Sequence, residues 1–115
     1  MAERTRWFLD TEFHEDGAII DLISIGLVCE DGREYYRETD FARSKASRSD
    51  WLKQNVLPHL TGDECSRMKI ANEVRELVTA NGERPAFWAY FADYDWVALC
   101  QLYGTMMDLP KGWPK

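Results

Sequence analysis

The chain opens with a short apolar run that turns acidic, Trp7 to Phe13 (W-F-L-D-T-E-F). A polar stretch, His14-Glu15-Asp16-Gly17, reads as a turn. Ile19 to Cys29 (I-I-D-L-I-S-I-G-L-V-C) then forms a nearly continuous apolar run rich in Ile and Val. Such runs belong to strands covered on both faces. Glu30-Asp31-Gly32-Arg33 places Asp-Gly at the centre of a hairpin turn, and a third strand follows at Glu34 to Arg37. The first third is therefore expected to be a three-stranded antiparallel meander with the acid-bearing strand first.

Asp40 to Ser49 reads as a Ser-rich linker. Ser49 or Asp50 can cap a short helix with Trp51, Leu52, Val56 and Leu57 on its buried face, stopped by Pro58. A second helix is expected to start between Thr61 and Ser66: Thr61 with Glu64 makes a capping-box pattern, and Ser66 competes with it. Ile70, Val74, Leu77 and Val78 recur at helical spacing, and Asn81-Gly82 provides the stop. Pro85 introduces an aromatic strand, Ala86 to Phe91. Strand, helix, strand implies a crossover, so this strand should lie parallel to one of the meander. Asp95 can cap a last helix, Trp96 to Tyr103, closed by Gly104, and Thr105 to Lys115 reads as a loop or tail.

The chemistry concentrates on the first strand. Side chains two apart in a strand share a face, so Asp10 and Glu12 stand together with Cα atoms roughly 7 Å apart. Two acids beside Trp7, Phe8 and Phe13 repel each other and resist desolvation, and a hard divalent cation, Mg²⁺, Mn²⁺ or Ca²⁺, is the simplest compensation. The alternative is a strand that frays into water at Asp10. In open α/β sheets functional groups collect at the carboxyl ends of parallel strands. If the first and aromatic strands are parallel neighbours, Asp95 joins the acid pair.

Composition narrows the field. With 115 residues and 45% hydrophobic content, residues 1–115 are expected to form a single domain with a real core. A net charge of −6 argues against a protein that coats nucleic acid through bulk charge. An acidic nuclease remains open, because metal ions can supply positive charge at the scissile phosphate. Cys29, Cys65 and Cys100 are odd in number and form no CxxC pair, which fits free thiols in a reducing compartment. No apolar run reaches membrane-spanning length, and the first residues lack a signal peptide's apolar core, so a cytoplasmic protein is expected. Arg43, Lys45 and Arg48 in the linker could touch a phosphate backbone, though solvated basic loops are the commoner case. His59, beside a helix end, suggests a surface residue with no chemistry assigned.

F-L-D-T-E-F, the long strand I-D-L-I-S-I-G-L-V, the hairpin and the later W-A-Y-F-A-D-Y-D-W-V-A-L together resemble the DnaQ-like DEDD 3′–5′ exonucleases. Asp10-Thr11-Glu12 looks like that superfamily's first motif and Tyr94-Asp95 like its second. Within it the closest likeness is to the poly(A)-trimming exoribonuclease AS group. D-T-E-F-H-E-D-G, L-I-S-I-G, E-D-G-R-E-Y-Y and Y-D-W-V-A-L-C-Q-L-Y-G carry it, from Trp7 to about Pro110.

The resemblance implies a ribonuclease-H-like α/β fold, a mixed sheet flanked by helices. It also implies a two-metal Mg²⁺ or Mn²⁺ site and release of nucleoside monophosphates from single-stranded, poly(A)-like RNA. Asp10, Glu12 and Asp95 would be the catalytic and metal-binding acids, Asp93 a rival to Asp95, and Thr11, Phe13 and His14 the walls of the nucleotide site. Such relatives are commonly dimers, so a homodimer is expected. The superfamily's third motif, a late helix reading H-x-A-x-x-D in many members, has no match within the 115 residues, and neither His14 nor His59 has an aspartate at the required offset. The expected fold is therefore C-terminally truncated and its metal site incomplete. The alternative is a non-catalytic nucleotide-binding, RNA-binding or dimerising module derived from such an exonuclease.

Overall fold

The fold was obtained as a computed structural model, which describes residues 4–89, 92–104 and 108–114. Strands β1 (Thr5–Glu15), β2 (Ile20–Cys29) and β3 (Glu34–Thr39) form the expected antiparallel meander. Gly32, at φ 98°, takes the left-handed conformation that the tight β2–β3 turn requires. Two short helices follow, α1 (Ala42–Ala46) and α2 (Asp50–Asn55), with a 3₁₀ turn at Leu57–His59. The chain continues through a two-residue strand β4 (Glu64–Cys65), helix α3 (Arg67–Val78), strand β5 (Pro85–Trp88) and helix α4 (Ala92–Gln101). The mixed sheet has the order β4-β3-β2-β1-β5, with β5 parallel to β1 and β4 parallel to β3. The crossover expectation for the aromatic strand holds, and its partner is the acid-bearing strand. That strand ends at Trp88 rather than Phe91; residues 90 and 91 lie outside the described residues.

One face of the sheet carries the main core. Trp7, Leu9, Leu22, Ile25 and Leu27 pack against Ile70, Val74 and Val78 of α3 and Ala98 and Leu99 of α4. The helical spacing read for α3 is the observed packing face, although its cap is Ser66, whose hydroxyl accepts from the Lys69 N–H. Thr61 and Glu64 make no capping box. The Thr61 N–H is engaged by Glu38, and Glu64 lies in β4. The expected tail folds back instead: Leu109 and Trp113 are buried in the same core, and Trp113 packs on Phe87 and Tyr103 with ring centroids 5.2 and 5.1 Å apart. Residues 105–107 and 115 lie outside the described residues.

The other face is covered at one end only. A β-bulge between Glu12 and Phe13 leaves Ile23 without a cross-strand partner on β1. Such an insertion lets neighbouring side chains serve the same face. Ile23 thus packs with Ala42, Ala46, Leu52 and Val56 in a second, smaller core under α1 and α2. Beyond that cover Val28 and Phe8 are exposed, so β2 is not sheathed on both faces along its whole length.

Asp40 to Ser49 is not simply a linker, because α1 occupies its centre. Lys45 is buried there; its Nζ donates to the Leu22 carbonyl (3.1 Å) and Thr39 Oγ1 (2.8 Å) and pairs with Asp21 at 3.3 Å. Arg48 is also paired with Asp21 but stays exposed, as does Arg43. Leu52 and Val56 define the buried stripe of α2, and Trp51, one position off that stripe, is 62% exposed. Among the described residues no helix is long and apolar enough to cross a membrane.

Candidate active site

The register across the meander builds the site in rows. Asp10 pairs with Gly26, and Gly26 with Tyr36; Glu12 pairs with Ser24, and Ser24 with Glu38. Asp10, Glu12, Ser24, Gly26 and Tyr36 form the floor of a cleft of about 390 Å³. Its wall comes from the end of α2 and the turn after it, through Asn55, Val56, His59, Leu60 and Thr61. The shared face expected for Asp10 and Glu12 is the cleft floor.

Electrostatics mark both acids. Burial pushes the Asp10 carboxyl above the ordinary aspartate range, and the nearby Asp95 charge pushes it further. Glu12 is raised in the same way, first by burial and then by Asp10 and Asp95, with His59 acting in the opposite direction. The three carboxylates thus share one electrostatic environment.

Asp95 approaches from the other side of β1. Among the described residues, β5 pairs with β1 from Thr5 to Phe8 and no further, which leaves the edge of β1 without a strand partner beyond that point. Asp95 Oδ1 fills this gap by accepting from the Thr11 N–H (3.1 Å) and the Thr11 hydroxyl (2.5 Å). Helix α4 begins at Ala92, three residues ahead of Asp95, so Asp95 is a buried residue of the first turn and not the N-cap. The side chain of Asp93 lies outside the described residues.

The other expected wall residues are placed elsewhere. Thr11 is buried on the core side, where it anchors Asp95. Phe13 stacks on Tyr94 with centroids 5.6 Å apart. Phe13 and His14 line a neighbouring depression with Trp51 and Leu52, which shares only Glu12 with the cleft.

Sequence reading missed Tyr36, Gly26 and His59. Counting back from the Asp31-Gly32 turn would have put Tyr36 and Gly26 in one row with Asp10, since the turn sets the register. His59 carried no such signal, because it is a 3₁₀ turn containing Pro58 that delivers it to the cleft.

Glu38 is fully buried and braces this wall. It accepts from the Tyr36 hydroxyl (2.5 Å), the Thr61 N–H (2.7 Å) and the Gly62 N–H (2.9 Å). Burial alone would raise its pKa, but these donors outweigh that and hold it below the usual glutamate value.

The donor set suits a hard divalent ion: acidic oxygens, mutually destabilised and open to a cleft. Among the described residues no group of three His, Cys, Asp or Glu side chains stands ready as a closed cage.

The chain is similar to known proteins along nearly its whole length. The 3′-5′ exoribonuclease Rv2179c-like domain model matches residues 5–114. Two Mycobacterium tuberculosis proteins are each 44% identical to the chain over 116 residues: 3′-5′ exoribonuclease MT2234.1 (strain CDC 1551 / Oshkosh) and 3′-5′ exoribonuclease Rv2179c (strain ATCC 25618 / H37Rv). The alignments cover 96% of this chain and 68% of each relative. With a family match over nearly its whole length and two relatives at this identity, the chain belongs to the 3′-5′ exoribonuclease Rv2179c-like domain family.

Proposed function

We propose that the cleft is the active site of a divalent-metal-dependent 3′–5′ exoribonuclease, built on a ribonuclease-H-like, DnaQ-related frame. Its substrate would be single-stranded, A-rich RNA and its product nucleoside monophosphates. The observation that carries this reading is the acid pair of β1, whose two carboxyls are both raised by burial and by neighbouring charge at the floor of one cleft. A site that strains its own carboxylates is suited to a cation.

Asp10 and Glu12 would hold Mg²⁺ or Mn²⁺, and Asp95 would contribute through the oxygen that Thr11 does not engage. Such an ion, when bound, supplies Lewis acidity to a phosphoryl group and stabilises the attacking and leaving oxygens. The protein's own part is positional. Thr11 fixes Asp95 and with it the start of α4, while the Glu38 brace keeps the Leu60–Thr61 wall over the acids. His59, on that wall, offers an imidazole N–H to a phosphate oxygen.

The test is a denaturing gel of 5′-labelled oligo(A) over long incubation. Slow shortening from the 3′ end is expected with Mn²⁺, none in chelator, and at least a hundredfold less with Asp10→Asn. Shortening in chelator, or equal shortening by Asp10→Asn, would contradict the proposal. The placing of Asp95 on the other side of β1, where Thr11 holds it, while Asp10 and Glu12 line the cleft, favours a second reading, a nucleotide-binding module without turnover. AMP binding with no shortening at all would select it.

A further inference from the structure

The open face of the sheet continues past the cleft. On β1 its residues are Arg6, Phe8, Asp10 and Glu12, since side chains two apart share a face. Helices α1 and α2 cover the Glu12 end, and the other end is bare. There Phe8 pairs with Val28 on one side and with Trp88 on the other, so three apolar side chains stand in one row across β2, β1 and β5. Trp88 is 56% exposed, Phe8 50% and Val28 43%. Single exposed apolar residues are ordinary. A contiguous row with two aromatic rings is not, and Phe8 and Trp88 also line a depression of about 380 Å³ with Leu9 and Ala89.

The position of the row indicates what covers it. Phe8 lies one step along the same face from Asp10, with Cα atoms about 7 Å apart. A single strand whose 3′ end meets the acids must run out of the cleft. The end of α2 and the turn after it wall the cleft, whereas the face beyond Asp10 is uncovered. Every base has a π-face, so exposed aromatic rings on an open sheet hold successive bases of single-stranded RNA without reading their sequence. Arg6, two residues before Phe8 on the same face, pairs with Glu30 but keeps 59% of its side chain exposed, a cation beside the path of the phosphates. A row of three apolar residues is small for a stable protein interface, which takes roughly 20–30 residues a side.

We propose that Phe8 and Trp88 form a stacking platform for the bases that precede the 3′-terminal nucleotide of a single-stranded RNA. The inference rests on the reading of the cleft as an exoribonuclease site.

The test is calorimetry on the full chain with Mn²⁺, comparing AMP, tetraadenylate and a tetranucleotide that keeps only its 3′-terminal base. Wild type should bind tetraadenylate at least tenfold more tightly than AMP, and the nearly base-free strand within about threefold of AMP. Phe8→Ser combined with Trp88→Ser should bring tetraadenylate to within about threefold of AMP while leaving AMP affinity unchanged. Near-UV circular dichroism checks that the variant is folded; should it fail there, Trp88→Ser alone takes its place, with a partial loss of the gain expected. A wild type that binds AMP and tetraadenylate equally, or a full gain in the folded variant, overturns the platform and leaves the nucleotide site standing. Light scattering that shows a wild-type dimer dissolved by the double substitution would make the row a subunit contact and also overturns the platform. Binding of neither ligand by wild type overturns the site and the platform together.

Discussion

Asp10 and Glu12 stand side by side on one face of β1 at a cost to the fold. Both carboxyls are harder to ionise than usual, so near neutral pH each charge opposes folding in the metal-free protein. Asp10→Asn is expected to raise the melting temperature of the metal-free chain while abolishing the further rise that Mg²⁺ or Mn²⁺ gives wild type. Thermal melts with and without the ion check both halves, and a variant less stable than wild type in chelator would contradict the account. The pair itself was legible in the sequence, because period-two alternation needs no tertiary information. The actual partners of Thr11 and His59 were not. Alternation turns Thr11 to the core, but its N–H is free for Asp95 because β5 stops at Trp88, and a strand end of that kind has no local signature.

The meander, the parallel aromatic strand and the Ile70–Val74–Val78 face of α3 could be read as elements, since each rests on periodicity or on connection length. The short elements could not. The five residues of α1 are held by the burial of Ala42 and Ala46 against Ile23, and β4 exists because it pairs with β3. Their stability is tertiary, as helix nucleation in so short a segment is unfavourable. Glu38 is the other tertiary device, binding β3 to the turn at Thr61–Gly62. Its pKa in the fold lies below the ordinary value, so its contribution is complete above that value and is lost as pH falls through the folded pKa. Glu38→Gln should therefore destabilise the protein by about 1–3 kcal/mol near neutral pH, because an amide cannot satisfy all three donors. Urea denaturation should show the gap between variant and wild type closing at low pH. A gap independent of pH would mean that the carboxylate charge is not what holds the turn.

At the scale of the whole molecule, the segment at 108–114 closes the core. Trp113 is 3% exposed between Phe87 and Tyr103, and Arg4 donates to the carbonyls of Gly112 (2.8 Å) and Pro85 (2.9 Å), joining both ends of the described chain to β5. Trp113→Ala is expected to cost about 3–5 kcal/mol, as for other buried large aromatics, with chemical denaturation as the check; a loss below about 1 kcal/mol would show that the segment is not part of the core. This packing holds β5, and with it α4 and Asp95, against the strand that bears the acids. The central claim is that these parts together make a site for a divalent ion and a nucleotide. Calorimetric titration of AMP into the chain with and without Mn²⁺, beside Asp10→Asn, tests it most directly. Saturable binding that requires Mn²⁺ and falls at least tenfold in Asp10→Asn is the predicted result; AMP binding that persists in chelator, or is unchanged by the substitution, would contradict it.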